Sequence, residues 1–294
     1  MVIDVNGKKI DVKEFGCSMP GIGPRRIPPS VNIFAKVTAG CQARCPFCSN
    51  ADSAHIRKAF NIEKLCAFVK ELQENGVIVN KVNITGGEPS IVPELVGSIV
   101  KEFSSDELSG IHLHLNTNGL SRESRHMMKH PRWDSISVSL HHYDRARLSE
   151  LYGFEVAEEA LAFNGVDMMK MNASCNLIRG FVDNADEVHR MLDFCIEAGI
   201  TRIGFVSLMK VNPWCVERFV DFNEIEMESI PHVYFTSRMD RGADCCCSNY
   251  LYNKDLKVLE IYHRNYSNFR YCESSLVYDG EFFRQGFHED NIVW

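Results

Sequence analysis

Between about residues 31 and 210, short apolar runs alternate with stretches whose apolar residues recur every three to four positions. "VNIFAKVT" (31–38) reads as a strand that leads straight into a cysteine-containing loop. The spacing then predicts a helix with Ile62, Leu65, Phe68, Val69 and Leu72 on one face, Asn61 as its N-cap and Gly76 as its stop. "KVNIT" (81–85) is a second strand and "VPELVGSIVKEF" (92–103) a second helix. "IHLHLNT" (111–117), a basic helix and "SISVSL" (135–140) follow. "MNASCNLI" (171–178) precedes a helix bearing Val188, Met191, Leu192 and Cys195, closed by Gly199, and "RIGFVSLM" (202–209) ends the series.

Counting a less regular helix before residue 171, these are six strand-then-helix steps. Such alternation implies a parallel sheet with crossover helices. Six units fit a partial (β/α)6 TIM-like barrel better than a closed barrel of eight. Functional groups of such sheets gather where strands end at their C-terminal edge. The polar outliers fall there: the cysteine loop after the first strand, "GGEPS" after the second, "NTNG" after the third and "HH" after the fourth. Residues 1–30 read as a small N-terminal hairpin and a Gly/Pro-rich lead, 31–212 as the barrel, and 213–294 as a cysteine-rich extension. That extension closes on a strand-turn-strand signal, "SLVYDGEFF", around Asp279-Gly280.

Composition narrows the class. The chain has 294 residues, 45% hydrophobic and 24% charged, ordinary for a globular protein able to bury a core. A formal net charge of -7 argues against a nucleic-acid partner. The first residues lack the plan of a signal peptide, and no run reaches the roughly 18 apolar residues of a membrane span. Twelve cysteines without an export signal point to a cytoplasmic protein whose clustered thiols serve metal or catalysis. Cys66, Cys175 and Cys195 fall at apolar-face or strand positions and read as small buried hydrophobes.

The chemistry concentrates in "GCQARCPFCSN" (40–50), where Cys41, Cys45 and Cys48 stand at C-x3-C-x2-C spacing. Structural zinc takes four ligands, and the nearest fourth, His55, would complete it unusually. Three cysteines also suit a [4Fe–4S] cluster with one iron open to a substrate or cofactor. In "ITGGEPS" (84–90), Gly86 and Gly87 let backbone approach a charged ligand and Pro89 fixes the turn.

Together, the three-cysteine loop after strand one, Phe47 before the third cysteine and GGEP after strand two resemble the radical S-adenosylmethionine (SAM) superfamily. "NLIRGFVDNADEVHRMLDFCIEAGI" and "FVSLMKV" are most similar to the branch containing the GTP-cyclising enzyme of molybdenum-cofactor synthesis and the peptide-modifying enzymes with SPASM/twitch extensions. The resemblance implies that Cys41, Cys45 and Cys48 hold a [4Fe–4S] cluster whose free iron chelates SAM. It implies that Gly86, Gly87 and Glu88 hold the methionyl amino group, and that Asn116, Asn118 and Ser139 line the ribose and methionyl side. Ile178 would pack on adenine, Arg179 would meet the carboxylate, and Leu208 and Met209 would close the adenine pocket. His141 and His142 stand where the branch usually has "SLD", at the barrel mouth, and are candidates for acid, base or substrate contact. Cys245, Cys247 and Cys272 could ligate an auxiliary Fe–S cluster, although Arg284-Gln285-Gly286 stands where the branch has a cysteine after "DG". The implied reaction is reductive cleavage of SAM to a 5′-deoxyadenosyl radical that abstracts hydrogen from a small metabolite or natural-product intermediate, in biosynthesis. Its electron comes from a donor such as flavodoxin or ferredoxin. Modification of a ribosomal peptide is the alternative substrate class, and a non-catalytic Fe–S or zinc sensor the alternative of another kind.

Overall fold

A computed structural model describes residues 1–15, 26–49, 59–239, 247–264, 275–286 and 292–294. A hairpin of β1 (Val2–Val5) and β2 (Lys8–Asp11) opens the chain, and β3 (Lys13–Phe15) pairs antiparallel with the start of β4 (Arg26–Thr38). β4 begins earlier than the apolar run suggests. Pro28 and Pro29 disfavour helix, and the partner strand β3 draws them into the sheet.

The alternation then proceeds in chain order. α1 (Ile62–Glu74) starts where the Asn61 side chain accepts the Lys64 N–H and ends before Gly76, whose φ of +74° suits glycine. β5 (Ile78–Gly86), α2 (Pro93–Glu102), β6 (Leu113–Thr117), α3 (Arg122–Met128) and β7 (Ser135–Ser139) follow. The irregular stretch before residue 171 resolves into α4 (Arg145–Tyr152) and a single 3-10 turn at Glu158–Leu161. β8 (Met171–Leu177), α5 (Ala185–Glu197) and β9 (Arg202–Ser207) complete the series. β4 to β9 lie side by side in sequence order, every pair parallel.

Side-chain alternation sets the two faces of this sheet. On β8, Met171, Ala173, Cys175 and Leu177 are buried toward the helices, while Asn172, Ser174 and Asn176 are half-buried on the other face. β6, β7 and β9 alternate in register with it, so one face packs as core, and along β6 to β8 the inner face is polar. Cys66, Cys175 and Cys195 are buried free thiols of that core, and burial pushes Cys66 up to about 11.

The helix alternation stops after α6 (Pro213–Glu217), but the sheet does not. β10 (Val233–Met239) and β11 (Cys247–Lys254) are antiparallel, and β12 (Lys257–Arg264) lies parallel against β9. At the opposite edge, β13 (Ser275–Tyr278) lies parallel against β4, with β14 (Phe283–Gln285) antiparallel outside it. The extension therefore flanks the six strands on both sides, and the sheet stays open. Its aromatic residues join the same core. Phe283 packs on Tyr278 and on Phe68 of α1, each at 4.3 Å between centroids, and Trp294 stacks on Phe68 at 4.8 Å. Gly280 turns the β13–β14 connection at φ +99°, where an added Cβ would lie 2.6 Å from the Ala59 carbonyl oxygen.

Phe283 is fully buried. Phe283→Ala is expected to cost about 3–5 kcal/mol of stability, the range for truncating a core aromatic. Anaerobic urea unfolding measures it. A loss under about 1 kcal/mol would mean that the β13–β14 segment docks loosely on α1.

Candidate active site at the C-terminal edge of the sheet

Two loops leave the sheet side by side and are locked together through their backbones. The Gly87 N–H donates to the Thr38 carbonyl at 2.7 Å, and the Glu88 N–H to the Gly40 carbonyl at 2.8 Å. A Cβ on Gly86 would sit 2.2 Å from the Thr38 oxygen, and one on Gly87 2.0 Å from the Gly40 oxygen. Gly86 also has φ +138°. Both glycines line the cavity described below, yet the space that a side chain would need is filled by the cysteine loop. The pair is needed for loop-to-loop contact.

Glu88 differs from its expected place. It is 1% exposed and is absent from the cavity wall. Its carboxylate accepts the Thr117 hydroxyl (2.8 Å), the Ser90 N–H (3.0 Å) and the Asn118 N–H (2.8 Å). Burial raises its pKa, and these donors oppose the rise by favouring the carboxylate. Glu88 thus ties the β5 loop to the end of β6. Asn118, held by that bond, directs its amide toward the Cys41 Sγ at 3.8 Å.

A cavity of about 360 Å³ opens at this edge, lined by Cys41, Cys45 and Cys48 together with Asn116, Asn118 and Ser139. His141, Leu208 and Met209 also reach its wall. The three cysteines are thiols of intermediate burial. Burial raises Cys41, and burial with the neighbouring Cys48 and Cys41 pushes Cys45 up to about 12. Without a cation these two sulfurs stay protonated at neutral pH. Three soft donors on one wall are suited to a thiophilic metal centre that would deprotonate them. Among the described residues, no three His, Cys, Asp or Glu side chains gather closely enough for a single ion. His55 lies outside the described residues.

The two histidines part company. His141 Nδ1 accepts the Asn176 N–H at 3.2 Å, so its proton resides on Nε2, and Phe47 meets the ring edge-on at 4.9 Å. Burial lowers its pKa to about 4, which keeps it neutral near pH 7. His142 turns away from the cavity. Its Nδ1 accepts the Asp144 N–H at 2.9 Å, and its Nε2 faces Glu187 at 3.9 Å.

Two other positions depart from the reading of the sequence. Ile178 is fully buried with Leu151, Phe181 and Leu208, one layer behind the wall that Leu208 forms. Arg179 is exposed and paired with Glu224 at 2.7 Å, because the bridge between Ile178 and Phe219 turns it outward. Tyr152, Ser174 and Asn176 line the cavity and were not singled out from sequence. Ser174 and Asn176 were within reach, as the alternate polar positions of "MNASCNLI". Tyr152 was not, since it arrives from α4, where its hydroxyl donates to the Ser139 carbonyl. Cys245 and Cys272 lie outside the described residues, and only the backbone of Cys247 is described, at the start of β11.

Comparison with known proteins matches residues 35–222 to the family model for the radical SAM superfamily. A GTP 3′,8-cyclase of Campylobacter jejuni is 28% identical over 181 residues, covering 59% of this chain and 54% of that protein. Molybdenum cofactor biosynthesis protein 1 of Drosophila melanogaster is 24% identical over 199 residues, 64% of this chain and 34% of that protein. The chain thus spans about half, or less, of the length of these relatives. Among solved structures, Streptococcus suis SuiB bound to its precursor peptide SuiA aligns at a TM-score of 0.54 with 19% identity, over 68% of this chain and 44% of that one. That likeness is one of fold.

Glu88→Ala would leave three buried donors facing an apolar methyl, each unpaired group costing about 1–3 kcal/mol. Loss of at least about 2 kcal/mol in chemical denaturation is expected, and unchanged stability would show that the carboxylate does not tie the loops. A second outcome concerns pH. A histidine whose folded pKa is depressed stabilises above its unfolded value near 6.5 and loses that contribution as pH falls toward the folded value of about 4. Between pH 7 and 4.5 the parent should therefore lose about 2–3 kcal/mol more than His141→Gln. Equal losses in paired denaturation curves would count against the buried neutral imidazole.

Proposed function

This chain belongs to the radical SAM superfamily, and on that premise we propose that Cys41, Cys45 and Cys48 hold a [4Fe–4S] cluster and that SAM lies against the loops after β5 to β9. It is an enzyme of that superfamily. The observation that supports these assignments is the convergence of three thiols, the Gly86-Gly87 junction and the polar ends of the parallel strands on one cavity. The residues fit the group: three soft sulfur donors lie on one wall, with an amide aimed at one of them. When bound and reduced, the cluster supplies the electron that splits the SAM sulfonium to methionine and a 5′-deoxyadenosyl radical able to take hydrogen from an unreactive C–H bond.

The protein's own part is positioning and shielding. Asn118 Nδ2 donates toward Cys41 and favours its thiolate form. Asn116 and Ser139 offer amide and hydroxyl groups for the ribose and methionyl side, and Leu208 and Met209 an apolar wall for adenine. Phe47, Tyr152 and neutral His141 close one side against water, leaving the His141 Nε2–H as a donor. Glu88 acts through Asn118 and the loop backbones, and Ile178 supports Leu208 from behind. Arg179 is engaged by Glu224 and would have to leave that pair to meet a carboxylate. His142 would serve away from the cavity, as a partner of Glu187.

For the substrate we favour a small molecule, as the name of the GTP cyclases among the relatives suggests, over a ribosomal peptide; SuiB is a fold neighbour with a bound precursor peptide. The electron would come from a one-electron carrier such as flavodoxin or ferredoxin. Cys245, Cys247 and Cys272 are retained as ligands of an auxiliary cluster.

Anaerobically reconstituted protein is expected to bind about four irons per chain, or about eight with an auxiliary cluster. It should release 5′-deoxyadenosine from SAM under dithionite. Replacing Cys41, Cys45 and Cys48 together with Ala should remove four irons and all cleavage. Cys272→Ala should remove only the second set. Stoichiometric zinc without iron in the native protein would sink the assignment.

A further inference from the structure

The basic helix read from the sequence has no part in the site as described. Residues 121–132, α3 and the turn after it, hold Arg122, Arg125, Lys129 and Arg132 against one carboxylate, Glu123, in a chain of net charge -7. Two of the four cations are engaged by the fold. Arg125 donates to the Leu120 carbonyl, and Arg132 donates to the Phe103 and Ile111 carbonyls and pairs with Asp134. Arg122 and Lys129 are exposed, and among the described residues neither makes an ion pair.

Beside these two cations, α2 and α3 stand apart over a groove of about 620 Å³. Val96 and Val100 of α2, Met127 of α3 and buried Trp133 give it an apolar wall. Arg122 lines one end and Lys129, whose ammonium lies beside Gly165, the other; Glu123 is the one carboxylate that reaches it. Gly97 lies in the same wall, in the middle of α2. Glycine is a poor helix former, and nothing in the fold asks for it here. Its φ is not left-handed, and an added Cβ would meet no atom within 4 Å. The residue keeps open a surface that a side chain would fill.

One end of the groove adjoins the cysteine loop. The turn before α2 meets the cap of α3 there, with Ser90 Oγ 3.5 Å from Ser121 Oγ. Ile91, in that turn, is 45% exposed, and a Cβ on Gly40 would come within 2.7 Å of its side chain. Ile91 therefore packs on the residue before Cys41, yet it takes no part in the cavity wall. A partner seated at this end is one side chain from the cysteine loop and leaves the cavity free.

We propose that the α2–α3 face is the docking surface for a one-electron carrier protein with an acidic surface, Arg122 and Lys129 meeting its carboxylates and the groove taking an apolar side chain between them. The inference rests on the reading above, in that Cys41, Cys45 and Cys48 hold the cluster to be reduced. One electron leaves the reduced carrier and enters the cluster, and no bond forms or breaks in that transfer. The net acidity of the chain repels such a carrier elsewhere, so a local cationic strip both attracts and orients it. Encounters of this kind are small and weak, which suits a groove flanked by two charges.

Anaerobic calorimetry of the reconstituted full chain with an acidic flavodoxin, and separately with an acidic ferredoxin, reads docking without turnover. At least one carrier should bind with a Kd of about 100 μM or tighter in low-salt buffer, and more weakly as salt rises. Arg122→Glu combined with Lys129→Glu, and separately Gly97→Met, should each weaken that binding at least about tenfold, while Arg122→Lys stays within about threefold of the parent. Gly97→Met places a better helix former in open space and so keeps the fold. Cleavage of SAM driven by the reduced carrier should fall with binding. Cleavage driven by dithionite, which needs no docking, should stay at the parent's rate. No cleavage by the parent under dithionite counts against the cluster reading and leaves the titration to decide docking. Binding of neither carrier, binding by the variants equal to the parent's, or an equal loss of dithionite-driven cleavage overturns the docking surface.

Discussion

The site depends on two stretches of backbone, Thr38–Gly40 and Gly86–Glu88, lying closer together than any pair bearing side chains could. Their two hydrogen bonds form because neither glycine has a Cβ to meet the opposite carbonyl. That contact sets the direction in which the chain leaves β4 and so the position of Cys41. From Glu88 the constraint passes to Thr117 and Asn118, and through Asn118 back toward the Cys41 sulfur. The third loop is thereby fastened to the first two. A buried carboxylate with three donors is a costly device if any donor is lost, which makes the junction rigid rather than adjustable.

Burial on the two sides of the sheet follows different rules. Outward-facing residues of β5 to β9 pack against the helices as ordinary core, and buried thiols such as Cys175 are part of that packing. The inward-facing residues of β6 to β8 are polar, and several satisfy one another in short hydrogen-bonded chains. Desolvation acts on both sides and holds His114 and His141 neutral. The site is thus polar, and its buried imidazoles add no charge of their own.

The open sheet leaves two edges, which are otherwise templates for unwanted pairing. The extension covers both. β12 takes the edge of β9 and β13 the edge of β4, and the aromatic group around Phe283 fixes the second of these to α1. The N-terminal hairpin joins at the same place, with the Lys8 ammonium 4.4 Å from the Trp294 ring and 2.9 Å from Glu71.

The order of β4 to β9, the helix faces, Asn61 as a cap and the gathering of polar loops at one edge were legible in the sequence. Each is a local property, set by apolar period, capping chemistry or chain direction. The three cysteines and GGEP were legible as motifs for the same reason. Tertiary structure decided where the motif side chains point. Glu88 turned under the loops, where Thr117 at the end of β6 and the Asn118 N–H add to the one donor its own loop supplies at Ser90, and Arg179 turned outward because Glu224, 45 residues on, offers a carboxylate. Tyr152 reached the cavity because α4 folds back over the end of β7, and the extension met both sheet edges because those edges carried unpaired backbone. Such contacts join residues far apart in the chain, and no period or spacing along it encodes which distant partner will satisfy a buried polar group.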